Sequence, residues 1–312
     1  MAAEVKEIQY ENYGRCVQIS NGLIDLVVTI EVGPRIVRFG FVNEENVLYN
    51  DLERKLVNHN PSIAERYGKN AAFYCYGGHR VWISPERMPE SYYPDNDPVV
   101  YGILPDGVSF TPARQKKNEI QLGFEIILGE GATDVMILHT AKNQSKENQT
   151  LALCAITMLN GGGTELIPQN RENTPDNLIL PNRLLSYWPY TDLHDNRISL
   201  SNKFITIRHD PKIAEPLKIG CNNLLGWAAY SNHGYTLVKR FVHNAKAAYP
   251  DFGCSYETYV CGDYVEMQTL SPLYNMEPGE GIRHVENLAL YKTDGDVPTE
   301  EDDIDEYIAN LK

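Results

Sequence analysis

The sequence predicts an all-β protein, a large antiparallel β-sandwich with a short C-terminal helix. Three observations lead there. Stretches with period-two apolar alternation recur along the whole chain. Helix signals are confined to the C-terminus. Long Pro/Gly/Asn-rich connections, rather than helical spacers, separate the alternating stretches. In "EIQLGFEIIL" the alternation puts Ile120, Leu122, Phe124, Ile126 and Leu128 on one side. "KFITIRHD", "YTLVKRFVH" and "IRHVENLALY" repeat the pattern. "LIDLVVTI" and "GPRIVRFGF" read as two strands joined at "EVGPR", with Gly33 and Pro34 as turn residues. "TEED", from Thr299 to Asp302, reads as the cap of a helix over "DIDEYIANLK". Asp51 to Asn70, Pro85 to Pro112 and Pro168 to Arg183 read as connections. No repeat, low-complexity tract or long linker divides the chain, so residues 1–312 read as one domain.

Composition excludes several functions. Of 312 residues 42% are hydrophobic, enough for a large core, and the 20 tyrosines can face a polar cleft as readily as that core. A net charge of -14 argues against a nucleic-acid partner, which needs a basic stripe; "RQKK" (Arg114 to Lys117) reads as a solvated turn. The six cysteines form no CxxC pair and no Cys/His cluster at zinc spacing, so no metal and no cofactor are expected. The polar start "MAAEVKEIQYENYG" lacks the apolar core of a signal peptide, and no apolar run approaches about 20 residues. A cytoplasmic protein with reduced thiols and no membrane span is the expectation.

Two stretches carry the local geometry. In "CSYETYVCGDYVEMQTLSP", Gly262-Asp263 suits a two-residue hairpin turn. Tyr259 then pairs with Glu266 and Glu257 with Gln268, and alternation places these four on one face. Thr258, Val260, Val265 and Met267 fall on the other, core-like face. Two carboxylates with a Tyr and a Gln between them suit a sugar-binding floor, and either can serve as a general base; an ordinary solvent-facing strand gives the same pattern. In "LPNRLLSYWPYTDLHDNR", Trp188, Tyr190, Asp192, Asp195 and Arg197 crowd a Pro-containing segment. Aromatic rings there can stack on a sugar while Asp and Arg bind hydroxyls or an anionic group. A packed corner with an internal Asp–Arg pair is the structural alternative.

A third stretch, "YGGHRVWISPE", joins Gly77-Gly78 to His79, Arg80, Trp82 and Glu86. The glycines allow close backbone approach or positive φ. His79 has the pKa for proton transfer near neutrality, and Arg80 offers a planar donor fork.

Together with "NGLIDLVVTIEVGPRIVRFGF", "GGGTELIPQ" and the closing "YVEMQTLSPLYNMEPGEGIRHVENLALY", these stretches resemble the galactose-mutarotase-like superfamily, and within it a branch of unassigned function. The resemblance covers most of the chain. It implies a large sandwich binding a small sugar or glycan, and possible aldose mutarotase or epimerase chemistry by acid/base ring opening. It places the base at Glu266, in "YVEMQTLSP". The acid histidine of mutarotase members sits on a central strand matched here by "TLALCAITMLNGGGT", whose nearest position is Ile156 or Thr157. Either His79 supplies the acid from another strand, with Tyr190 a weaker candidate, or the protein binds a sugar without turning it over. Arg80, Trp82, Trp188, Tyr190, Asp192, Arg197 and Glu257 are the expected substrate contacts. Lys239, which alternates with Arg240 in "VKRF", is added to them.

Overall fold

Alternation along the strands becomes packing between two sheets. Ile120, Leu122, Phe124, Ile126 and Leu128 all turn inward from one strand, Ile120–Leu128, and all are buried. That strand runs antiparallel to Asp134–Asn143 in unbroken register from Ile120↔Asn143 to Leu128↔Val135. The computed structural model describes residues 3–172 and 179–311. Residues 173–178 of the Pro168 to Arg183 connection therefore lie outside the described residues.

Among the described residues one large sheet has eleven strands and a second has ten, and a small third sheet pairs Val57–Asn58 with Phe73–Tyr74. The middle of the first runs Ile36–Phe41, His79–Ser84, Gln149–Asn160, Tyr264–Leu270, Tyr256–Val260 and Leu217–Cys221. The middle of the second runs Thr164–Pro168, Trp227–Asn232, Tyr235–Phe241, Gly281–Lys292, Asp134–Asn143 and Ile120–Leu128. Among the described residues every strand pairing is antiparallel. The main core lies between the sheets, where Phe39, Phe110, Phe124, Tyr256 and Met267 are fully covered. A second apolar cluster, with Ile63, Phe73, Trp82, Ile156, Met158 and Tyr264, covers the outer face of the first sheet. Among the described residues no helix is long and apolar enough to cross a membrane.

Three local readings need correction. The Pro85 to Pro112 connection contains a hairpin, Val99–Leu104 with Gly107–Pro112, registered from Val99↔Pro112 to Leu104↔Gly107. Its "LPDG" turn is a sequence signal for it. A helix, Pro61–Tyr67, sits inside the Asp51 to Asn70 connection; Asn60 caps it by accepting from the Ser62 amide, and Pro61 occupies its first turn. The C-terminal helix is Glu301–Ala309. Its N-cap is Glu300, with no side-chain cap bond, so Thr299 does not cap it. Glu301, Asp302 and Asp303 suit the positive end of its dipole.

One buried carboxyl gives the core a pH dependence. Glu165 accepts from the Tyr256 hydroxyl and, at 2.6 Å, from the Thr258 hydroxyl. Burial raises its pKa from 4.5 to about 7. Between those values the folded chain keeps a proton that the unfolded chain has released, so stability falls as pH rises from about 4.5 to about 7. The contribution is on the order of 3 kcal/mol. Glu165→Gln is expected to flatten this slope; urea midpoints at pH 5 and pH 8 read it, and equal slopes in the two proteins would refute it.

Candidate active site

The two glycines of "YGGHR" solve a steric problem. Gly77 and Gly78 have φ of +88° and +73°, and a Cβ on Gly78 would lie 2.2 Å from the Ile36 carbonyl oxygen. Only glycine lets the chain enter the sheet this close to its neighbour. Alternation then divides the strand that follows. His79 and Val81 point between the sheets, while Arg80 and Trp82 point to the outer face.

Register assembles the rest of that outer face. Ile156 lies opposite Arg80 on one side and Gln268 on the other. Tyr259 lies opposite Glu266 and Glu257 opposite Gln268, the hairpin pairing expected from the sequence. Arg80, Tyr259, Glu266 and Gln268 from these strands floor a cavity of about 520 Å³. Arg80, Trp82, Lys218, Glu266, Gln268 and Tyr190 line it, with His59 from the Asp51 to Asn70 connection.

The floor is charged and largely buried. Arg80 is 4% exposed, its guanidinium 4.8 Å from the Phe73 ring centre and 4.7 Å from that of Trp82. Its Nε and Nη1 have no hydrogen-bond partner among the described residues. Glu266 accepts from Gln268 Nε2 at 2.6 Å. Burial raises the Glu266 pKa, and the charges of Arg80 and Lys218 pull it back only in part. Lys218 Nζ lies 2.8 Å from Glu257 and 3.7 Å from Glu86, and these carboxylates keep it charged against the desolvation that opposes it. The same ammonium sits 4.3 Å from the Trp188 ring centre. Burial pushes the Tyr190 phenol up to about 12.

Several expected contacts lie elsewhere. His79 does not share the cavity with Glu266. It is fully buried between the sheets, because an odd–even step along a strand reverses the side chain, and Arg80 takes the outward place. Lys239 also lies between the sheets, fully buried, where its partners are the Ala155 and Met267 carbonyls, the Thr157 hydroxyl and Glu286. Arg197 packs into a corner: its Nε and Nη2 clasp Asp195 at 3.0 and 2.6 Å, and Nη2 also donates to the Glu215 carbonyl. Asp192 is exposed and accepts from the His194 amide. Glu257 sits behind the cavity wall, reaching it through Lys218. Trp188 supports Lys218 in the same way.

Tyr92 and Tyr264 line the cavity as well, and with Lys218 and His59 they are the lining residues that the sequence reading does not single out. Two of them carried a signal. Tyr264 shares the parity of Glu266, and Lys218 is a lone charge inside the apolar strand "LKIGC". Tyr92 and His59 come from irregular connections, where no periodicity fixes direction.

Two large antiparallel sheets of this order, with a polar cleft on the outer face of one, give the chain the galactose-mutarotase-like fold. Among solved structures, a galactose mutarotase-like protein from Lactobacillus casei superposes with a TM-score of 0.59 at 10% identity, covering 88% of this chain and 100% of that one. A galactose mutarotase-like protein from Clostridium acetobutylicum gives 0.50 at 12% identity, covering 94% and 99%. A TPR-domain containing protein from Parabacteroides distasonis gives 0.60 at 17% identity, covering 96% of this chain and 48% of that one; the chain spans about half its length. No protein-family model and no curated protein matches the sequence.

Proposed function

We propose that the protein handles carbohydrate, binding a sugar or a glycan end in the Arg80–Glu266 cleft, with Glu266 as the general base for ring opening of the mutarotase or epimerase type. The observation that carries this reading is the pairing of two buried groups on one floor: a guanidinium with donors left over and a carboxyl whose pKa burial has raised. Sugar hydroxyls offer acceptors to the first and a proton to the second, and the aromatic walls offer flat faces for C–H groups. The six cysteines are free thiols, which suits a cytoplasmic setting.

A second reading, binding without turnover, is favoured by Ile156. The position matched to the acid histidine of mutarotase members is Ile156 or Thr157; the first lies between Arg80 and Gln268 as an apolar side chain, and the second bonds His79 between the sheets. The acid role in the first reading falls to Tyr190 or to water.

Thermal shift across a sugar panel tests binding, and saturation-transfer NMR at the anomeric resonances tests turnover. A shift with exchange supports catalysis; a shift without exchange supports the second reading; no shift with any neutral, acidic or phosphorylated sugar refutes both. Arg80→Met is expected to weaken binding at least thirtyfold, since a charge-assisted hydrogen bond from a buried guanidinium contributes about 2 kcal/mol or more. Titration calorimetry with the best ligand of the panel reads it.

A further inference from the structure

A polar cluster between the two sheets is unused by the cleft chemistry. His79 comes from the first sheet, His139 and Glu286 from the second, and all three are fully buried. His79 Nε2 and His139 Nε2 are 2.8 Å apart, and Glu286 Oε2 lies 3.8 Å from the first and 3.9 Å from the second. The point equidistant from those three atoms is about 2.1 Å from each, the length of a zinc–nitrogen or zinc–oxygen bond. It is too close for a water in that plane, whose hydrogen bonds run to about 2.8 Å.

The surroundings fit ligation. His139 Nδ1 lies 3.1 Å from the His284 carbonyl oxygen, which can only accept, so the proton is on Nδ1 and Nε2 carries a lone pair. His79 Nδ1 lies 2.9 Å from Thr157 Oγ1. Ligating imidazoles commonly hold their second nitrogen in this way. Glu286 Oε1 is held by Lys239 at 3.0 Å and by the Thr269 hydroxyl, but Oε2 is buried with no hydrogen-bond partner among the described residues.

We propose that His79, His139 and Glu286 form a closed site for one divalent first-row transition-metal ion, zinc above all, that ties the two sheets together. Two imidazoles and one carboxylate are ligand types that zinc takes, and zinc imposes no d-electron geometry of its own. The protons balance. Without the ion, the Thr157 hydroxyl donates to His79 Nδ1, His79 Nε2–H donates to His139, and Lys239 is an ammonium. With the ion, the His79 proton sits on Nδ1 and is donated to the Thr157 hydroxyl oxygen, which leaves Nε2 with a lone pair for the metal.

Because the site is closed, loading belongs to folding. The untagged full-length chain, refolded with excess Zn²⁺ or Co²⁺ and desalted, is expected to retain one ion per chain by elemental analysis, and the Co²⁺ form to absorb in the visible. His139→Gln and Glu286→Gln are expected to lose at least nine-tenths of that ion and the absorption. A wild-type chain retaining less than a tenth of an ion overturns the proposal whether or not the variants fold. A folded variant that keeps the full ion overturns it too.

Discussion

Lys239→Met is expected to lower the stability of the apo chain by about 3–5 kcal/mol, the cost of stranding one member of a buried ion pair. The Lys239 ammonium is wholly buried and donates to the Ala155 carbonyl, the Thr157 hydroxyl and the Met267 carbonyl, each at 2.9 Å, with Glu286 at 3.0 Å. Methionine fills much of the same volume but supplies none of the donors. The carboxylate loses its counter-charge, and two strand carbonyls lose a partner they have no water to replace. Adding Glu286→Gln to the variant is expected to recover part of the loss, because the stranded charge is then gone. Arg240→Met, one residue along and exposed, is expected to stay within about 0.5 kcal/mol of wild type. Urea midpoints read all three. A loss below about 1 kcal/mol for Lys239→Met would mean that the pair is not ionised.

Glu266→Gln is expected to cut anomeric exchange by 10²- to 10⁴-fold, the usual contribution of a general base. Glutamine keeps the shape and one acceptor, so sugar affinity is expected to change by less than about fivefold. The pH profile gives a second check. A base must be deprotonated to act, and burial has raised this pKa, so the rate is expected to climb with pH through a value above the ordinary glutamate range. Saturation-transfer NMR across pH 4 to 9 measures it. Exchange that survives in Glu266→Gln would move the base to Glu86 or Glu257, the other carboxylates around Lys218.

Where the chain alternates, the sequence was a good guide. Parity along "EIQLGFEIIL" and about the Gly262-Asp263 turn set the inward and outward residues, and the register agrees at Tyr259↔Glu266 and Glu257↔Gln268. Parity within one strand says nothing about which face carries the cleft. The "YGGHR" stretch offers both His79 and Arg80 to it, although neighbours on a strand point opposite ways. Lys239 failed for the same reason. A lysine at the centre of an apolar strand suggests a ligand-facing charge, but it equally suits a partner on the facing sheet, and Glu286 lies 47 positions further on. The His79, His139 and Glu286 cluster brings together three strands distant in sequence, so no local spacing announces it. Arg197 and Asp195, two residues apart, form the packed corner that the same stretch equally allowed.

The strand after Gly78 serves two compartments with successive residues, which sets a rule for editing it. Deleting or inserting one amino acid between Gly78 and Trp82 would trade places between an imidazole and a guanidinium. The first would then face solvent and ligand, and the second would be driven against the Lys239 ammonium in the buried interior. Loss of function from such an indel, or from any change at His79, would therefore report collapse of the interior rather than damaged chemistry in the cleft.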